Sequence, residues 1–259
     1  MKTAIIIQAR MASTRLPNKV LINLAGKPIL QRVIERCKKS KANDVIIATS
    51  LNKENDAIEK FCKENNYVFF RGSEDDVLAR YYQAAKKFKA DIIVRVTADC
   101  PLIDPNTINE LIEEFKSNSY DYISNVLERT FPRGLDTEVF SFKALEKANK
   151  LSKKPAEREH VTSFIYGNPN LFKLKNITAQ GTLRRPDIRL CLDTKEDLQV
   201  LQNIFDSIKG ADKEPLADII QYLDNNPQIK NINNESELEQ LKKNQEQGIK
   251  QKINQSNGI

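Results

Sequence analysis

A chain of 259 residues, 40% hydrophobic and 29% charged, carries enough apolar material for one large domain, or one domain with an elaboration, and lies outside the composition of disordered or fibrous chains. Its formal charge of +6 permits a nucleic-acid partner, but Lys and Arg are spread among almost as many acids, which is the pattern of a solvated surface, so no nucleic acid is expected. No membrane is expected either: no apolar run approaches the ~20 residues that cross a bilayer, and the N-terminus lacks a basic n-region followed by a long h-region. Cys37, Cys62, Cys100 and Cys191 are far apart and form no C-x-x-C pair, which argues against zinc and disulfides and for a cytoplasmic location.

In chain order, Ala4 to Ile7 is an apolar, branched run of strand length, and a helix follows from Pro28 with Ile29, Leu30, Val33, Ile34 and Cys37 at helical spacing. Val45 to Ala48 is the next expected strand, then a helix near Glu54 to Lys63 and a strand over Tyr67 to Phe70. Ser73 and Asp76 form a capping-box pattern before a helix carrying Val77, Leu78, Tyr81, Tyr82 and Phe88. Ile92 to Val96 is a fourth strand, and Asp104 with Pro105 opens a helix bearing Ile108, Leu111, Ile112 and Phe115. Such alternation predicts an α/β fold, a doubly wound and mostly parallel sheet.

From about Tyr120 to Arg189 the alternation stops, and this stretch reads as an inserted subdomain over the sheet edge. Order returns with a strand over Ile188 to Leu192, a Thr194/Asp197 helix cap and a stripe of Leu198, Leu201, Phe205 and Ile208. The main domain is thus expected over residues 1–225. Residues 226–259 are poor in aromatics and rich in Asn, Gln and Lys, and are expected to be a partly disordered tail with one weak helix near Ser236 to Gln247, dispensable from Asn231 onward.

The loop after the first strand carries the first chemical signal. Within "AIIIQARMASTRLPNKVL" an apolar run gives way to Arg10, Arg15 and Lys19, with hydroxyls at Ser13 and Thr14. The chain contains neither G-x-x-x-x-G-K-[ST] nor G-x-G-x-x-G, which excludes a P-loop and an ordinary dinucleotide fingerprint. The loop from Ala9 to Lys19 can nevertheless bind a triphosphate through backbone N–H groups, hydroxyls and guanidinium forks, and the carboxyl edge of a parallel sheet is where such ligands bind. Asp99 follows one expected strand and Asp193 another. If both strands are parallel members of one sheet, the two acids meet the cationic loop, an arrangement suited to Mg²⁺ held by carboxylates and substrate phosphates.

Six ordered motifs, "IIIQARMASTRLPNKVL", "RGSEDDVLARY", "RVTADCPLID", "PRGLDTEVF", "EREHVTSFIYGNP" and "LDTKEDL", together resemble the cytidylyltransferase family of CMP-sugar-acid synthetases, in its spore coat polysaccharide biosynthesis protein F branch. The resemblance spans about Met1 to Phe205. It implies a Rossmann-like nucleotidyltransferase fold, CTP and Mg²⁺ as ligands, a small sugar-acid acceptor and a homodimer formed through the inserted subdomain. Position by position it implies a nucleotide site of Ala9, Arg10, Ser13, Arg15 and Lys19, with Arg71, Ser73 and Arg80 near the base. Arg10, Lys19 and Asp99 would act in catalysis, Asp99 and Asp193 would hold the metal, and Arg133, Asp136, Glu138 and His160 would meet the acceptor. Two positions depart from the better-known synthetases, which have glycine where this chain has Asn18 and Ala98. Asn tolerates a left-handed backbone, so the loop need not change.

Rival readings are a glycosyltransferase, a nucleic-acid-binding module and a catalytically idle nucleotide sensor. The first calls for a D-x-D motif, whereas Thr97 stands two residues before Asp99. His160, the sole histidine, has no second histidine or activating serine in a recognisable motif, so positioning suits it better than proton transfer.

Overall fold

The computed structural model describes residues 1–234. It begins with β1 (Thr3–Gln8), a 3-10 turn (Lys19–Leu21), the small ribbon of β2 (Asn23–Leu24) and β3 (Lys27–Pro28), and α1 (Ile29–Cys37). Next come β4 (Asp44–Ser50), α2 (Asp56–Glu64), β5 (Phe69–Gly72), α3 (Val77–Lys87), β6 (Ile92–Thr97) and α4 (Pro105–Ser117). The following segment supplies β7 (Tyr122–Ser124), β8 (Glu138–Ser141), α5 (Phe142–Leu151), α6 (Pro155–Glu159), α7 (Ser163–Tyr166) and β9 (Leu174–Asn176). Finally come α8 (Lys195–Ser207), α9 (Leu216–Asn225), α10 (Pro227–Lys230) and a 3-10 turn (Asn231–Asn233).

Seven strands form one sheet in the order β5-β4-β1-β6-β8-β7-β9. The pairs β4/β5, β1/β4, β1/β6 and β7/β9 are parallel, and β8 runs antiparallel to both its neighbours, so it alone is reversed. This is the mostly parallel α/β fold that the alternation predicts, and it is Rossmann-like as the resemblance implies. β1 is apolar on both faces because both are covered. Ile5 and Ile7 pack with α1, α2 and α4, whereas Ala4 and Ile6 pack with α3 and α5. Burial of each branched side chain contributes about 1.5–3 kcal/mol, and Ala4 to Ile7 are all fully buried.

Several local expectations are corrected. The segment from Tyr120 to Arg189 does not merely lie over the sheet edge, because it contributes β7, β8 and β9 to the sheet itself. Ile188 to Leu192 is not a strand of that sheet. Its backbone makes one parallel bridge, Arg133 to Arg189, and Ile188, Leu190 and Leu192 are buried in a separate cluster with α8 and α9. An alternating apolar pattern reports burial of alternate residues, which a single extended segment under two helices satisfies as well as a strand does. The expected strand over Tyr67 to Phe70 begins later, at Phe69. Ser73 is not a helix cap: Asp76 caps α3 by accepting from Ala79 N, while the Ser73 hydroxyl accepts from Asp76 N. In α8 the buried positions are Val200, Leu201, Ile204 and Phe205, with Leu198 only partly covered. Residues 226–234, assigned to the polar tail, form α10 and the last 3-10 turn, and Asn233 is buried. The weak helix expected near Ser236 to Gln247 lies outside the described residues.

The contact between the 131–135 loop and the 188–192 segment depends on Gly134. Arg133 N donates to Ile188 O and Leu190 N donates to Arg133 O, which draws the two backbones together. Gly134 has φ +97°, and a Cβ there would stand 2.6 Å from Leu190 C and 2.7 Å from Cys191 N. Gly134→Ala is therefore expected to cost about 3 kcal/mol or more through backbone strain and displacement of this contact. Gly210, at φ +79° with open space around its missing Cβ, is the comparison. Gly210→Ala should cost only about 1 kcal/mol, and equal melting temperatures for the two variants would show that the close approach does not matter.

Candidate functional site

Parallel strands deliver their carboxyl ends to one edge, and β1, β4 and β6 therefore place the 9–18, 51–55 and 98–104 loops side by side. Backbone bonds lock the first of these: Ala9 N donates to Ala48 O and Ala98 N to Gln8 O. The 9–18 loop then folds on itself, with Ser13 N and Asn18 N both donating to Met11 O. Asn18 turns the chain into the Lys19 helix at φ 61°, ψ 15°, the left-handed conformation that asparagine tolerates.

A cleft of about 520 Å³ opens at this edge, lined by Arg10, Ser13, Thr14, Arg15, Lys19, Asp99 and Asp193 together with Gln8, Ala12, Val20, Thr97 and Ala98. Lys19 stands between the two acids, with Nζ donating to Asp99 Oδ2 at 2.5 Å and to Asp193 Oδ1 at 2.6 Å. Arg15 Nη2 lies 3.2 Å from the same Asp193 oxygen. Burial works against the Lys19 ammonium, but the two carboxylates outweigh it and raise its pKa above the ordinary lysine value. Burial likewise opposes the Asp193 charge, and Lys19, with Arg15 and Arg189, overcomes it and holds that carboxyl below its usual range. Asp193 reaches this place without a strand behind it, because Leu192 N donates to Asp99 O and ties the two acid-bearing loops together.

The other expected site residues divide. Ala9 is buried beneath the loop and contributes backbone. Arg71 points away from the cleft: it donates to Ser50 O and Asn52 O and pairs with Glu59 and Asp56. Arg80 is buried, donates to Ser73 O, and supports the exposed loop that carries Ser73 and Glu74. Glu74 in turn lies 3.9 Å from Arg10. Among the acceptor candidates, Asp136 is held by both nitrogens of the Arg129 fork at 2.8 Å. It lies close enough to Cys100 to help raise that thiol, behind burial, Asp99 and Cys191. Glu138 is 5% exposed and is engaged by Arg95 and the Thr162 hydroxyl. It touches the cleft only through Arg95, which donates to Gln8. Arg133 uses its backbone to hold the 188–192 segment. His160 is exposed at the end of α6. None of these four lines the cleft.

Three residues that the sequence reading did not assign to the site support it. Asn55, fully buried, accepts from Met11 N at 2.8 Å and donates to the Ser50 hydroxyl. Arg189 and Asp197 lie behind Asp193. Asn55 was legible only as one polar residue among many before α2, since nothing in its neighbourhood signals a partner 44 residues away.

Asn55→Ala would leave the Met11 amide and the Ser50 hydroxyl without their buried partner, at about 1–3 kcal/mol. Hydrogen exchange at the Met11 amide is expected to accelerate in this variant, and unchanged exchange would show that other bonds hold the loop.

Comparison with known proteins bears on this geometry. A family model described as cytidylyltransferase matches residues 4–251. An uncharacterized protein of Methanocaldococcus jannaschii is 46% identical over 90% of this chain and 95% of its own length. Spore coat polysaccharide biosynthesis protein SpsF of Bacillus subtilis is 31% identical over 86% of this chain and 94% of its own. The solved structure of a cytidylyltransferase from Leptospira borgpetersenii superimposes with a TM-score of 0.84 at 36% identity, covering 89% of this chain and 97% of that one. The chain belongs to the cytidylyltransferase family.

Proposed function

We propose that this cytidylyltransferase uses CTP and Mg²⁺ to transfer CMP to a sugar acid, releasing pyrophosphate, in the building of a surface polysaccharide or related glycan. The observation that carries the reading is the convergence of Asp99 and Asp193 on one cation, the Lys19 ammonium, within a cleft rimmed by Arg10 and Arg15. The polysaccharide setting follows the name of the Bacillus subtilis relative.

The donor set is suited to magnesium. Both acids offer hard carboxylate oxygens, and two of them already approach a single positive charge. Among the described residues no group of three or more His, Cys, Asp or Glu could hold a metal by itself, so the remaining ligands would be phosphate oxygens and water, as is usual for Mg²⁺ in nucleotide sites. When bound, the ion would supply charge neutralisation across the triphosphate.

The chain's own residues do the rest. Arg10, Arg15 and the Ser13 hydroxyl hold the phosphates. Two of the three Lys19 N–H donors are taken by the carboxylates, which leaves one for a phosphate oxygen. An oxygen of the acceptor attacks the α-phosphorus, the bond to the bridging oxygen of pyrophosphate breaks, and the cations stabilise the charge that develops on the phosphoryl oxygens. The 125–137 loop, joined to the same edge through β7 and β8, is the candidate wall for the acceptor.

Asp99→Asn or Asp193→Asn leaves Lys19 with one carboxylate partner, so the fold should survive. Turnover is expected to fall on the order of 100-fold or more, a few kcal/mol of transition-state stabilisation. Steady-state rates with CTP, read beside melting curves, decide this, and near-wild-type turnover in both variants would falsify the assignment.

Lys19→Met provides a separate check that does not depend on activity. It removes the cation that the two carboxylates share, leaving Arg15 and Arg189 on Asp193, and Mn²⁺ binding in the absence of nucleotide, followed by calorimetry or electron paramagnetic resonance, is expected to tighten at least ~10-fold. Unchanged Mn²⁺ affinity would mean that the acids do not form a cation site.

A further inference from the structure

Asp193 has two carboxylate oxygens, and only Oδ1 faces the cleft, toward Lys19 and Arg15. Oδ2 accepts from Arg189 Nη2 at 2.7 Å. The same guanidinium donates from Nε to Asp197 Oδ1 at 2.8 Å, and its side chain is 6% exposed while that of Asp197 is fully buried. Asp197 also accepts the Asp193 backbone N–H at 2.8 Å. The backbone and one carboxylate oxygen of Asp193 are therefore fixed by a single buried ion pair. Asn233, 1% exposed, completes the arrangement by donating to Asp197 Oδ1 at 2.9 Å and to Arg189 O at 3.2 Å.

A buried Arg–Asp pair is a weak source of net stability, because both charges are desolvated to make it. Its specific effect here is geometric. An aspartate side chain is short, and with Oδ2 capped and the backbone N–H tied down it has one orientation left, which directs Oδ1 into the cleft. The support comes from far along the chain: Asn233 lies 36 residues beyond Asp197, carried there by α10 and the last 3-10 turn, which pack on α8.

We infer that Arg189, Asp197 and Asn233 act as positioning residues for Asp193, so that the segment from Pro227 to Asn234 is part of the support of the reaction centre and is not a dispensable tail. The inference rests on the reading of Asp193 as a metal ligand. Partners that orient a metal-binding carboxylate typically change metal affinity or activity about 10–100-fold when removed.

The test uses Arg189→Met combined with Asp197→Asn, which removes both buried charges together and retains an acceptor for the helix cap, alongside Asn233→Ala, which leaves the ion pair in place. Mn²⁺ is titrated into the CTP-bound full-length protein, CTP binding is measured separately without metal, and melting curves are recorded. The double variant is expected to bind Mn²⁺ about 10–100-fold more weakly and Asn233→Ala a few-fold more weakly, with metal-free CTP binding unchanged. A merely structural role would lower melting temperature and both affinities in parallel, and that pattern overturns the inference. Wild-type Mn²⁺ affinity in the double variant, or in Asn233→Ala should the double variant not fold, overturns it as well. Asp193→Asn is carried in the same series: if it binds Mn²⁺ and turns over like the wild type, the reading of Asp193 fails and the inference falls with it. If Asp193→Asn is impaired while the positioning variants are not, only the inference fails.

Discussion

One ammonium holds three distant parts of this chain together. Lys19 Nζ joins Asp99, 80 residues away, to Asp193, 174 residues away, in a place where its side chain is 12% exposed. Partial removal of water makes the pair interactions stronger and also makes each charge costly to leave alone. The cluster is balanced: Lys19, Arg15 and Arg189 face Asp99, Asp193 and Asp197. Any highly charged ligand entering the cleft must disturb that balance, so these ion pairs are also the contacts that ligand entry exchanges.

The sheet makes the convergence possible. Parallel neighbours β1, β4 and β6 emerge at one edge, and backbone bonds from Ala9 and Ala98 fasten the emerging loops to the strands beside them. Beyond β6 the direction reverses at β8, where Glu138 sits directly across from Arg95. Of that pair Glu138 is buried and Arg95 partly so, with Arg95 also reaching Gln8 at the cleft and Thr162 donating to Glu138. The carboxylate that the family resemblance assigns to the acceptor is thereby committed to neutralising a half-buried guanidinium. Removing one partner of such a pair costs several kcal/mol because the other remains buried and unpaired.

Rigidity at the site is assembled from small, specific devices and not from the apolar core alone. Asn18 supplies the left-handed turn that points Lys19 inward, Asn55 fastens the loop from below, and Gly134 lets two backbones approach so closely that the 188–192 segment can bring Asp193 beside Asp99. Each acts on backbone position, which is the quantity that decides whether charged side chains meet at hydrogen-bond distance.

The sequence by itself determined the α/β class, most helices and strands of residues 1–117, the cationic loop, the two acids and the family, because these are written in local periodicity, caps and contiguous motifs. The Thr194/Asp197 capping box was legible for the same reason, and it is present. The sequence could not separate a buried extended segment from a strand at Ile188 to Leu192, since both bury alternate side chains. Nor could it show that Arg71 turns to Glu59, that Asp197 serves Arg189 as well as its helix cap, or that Asn233 returns to Asp197. Those are contacts between residues far apart in the chain. Only the tertiary structure decides them, because a charged or amide side chain has the same local signature whichever of several partners the packing brings within reach of it.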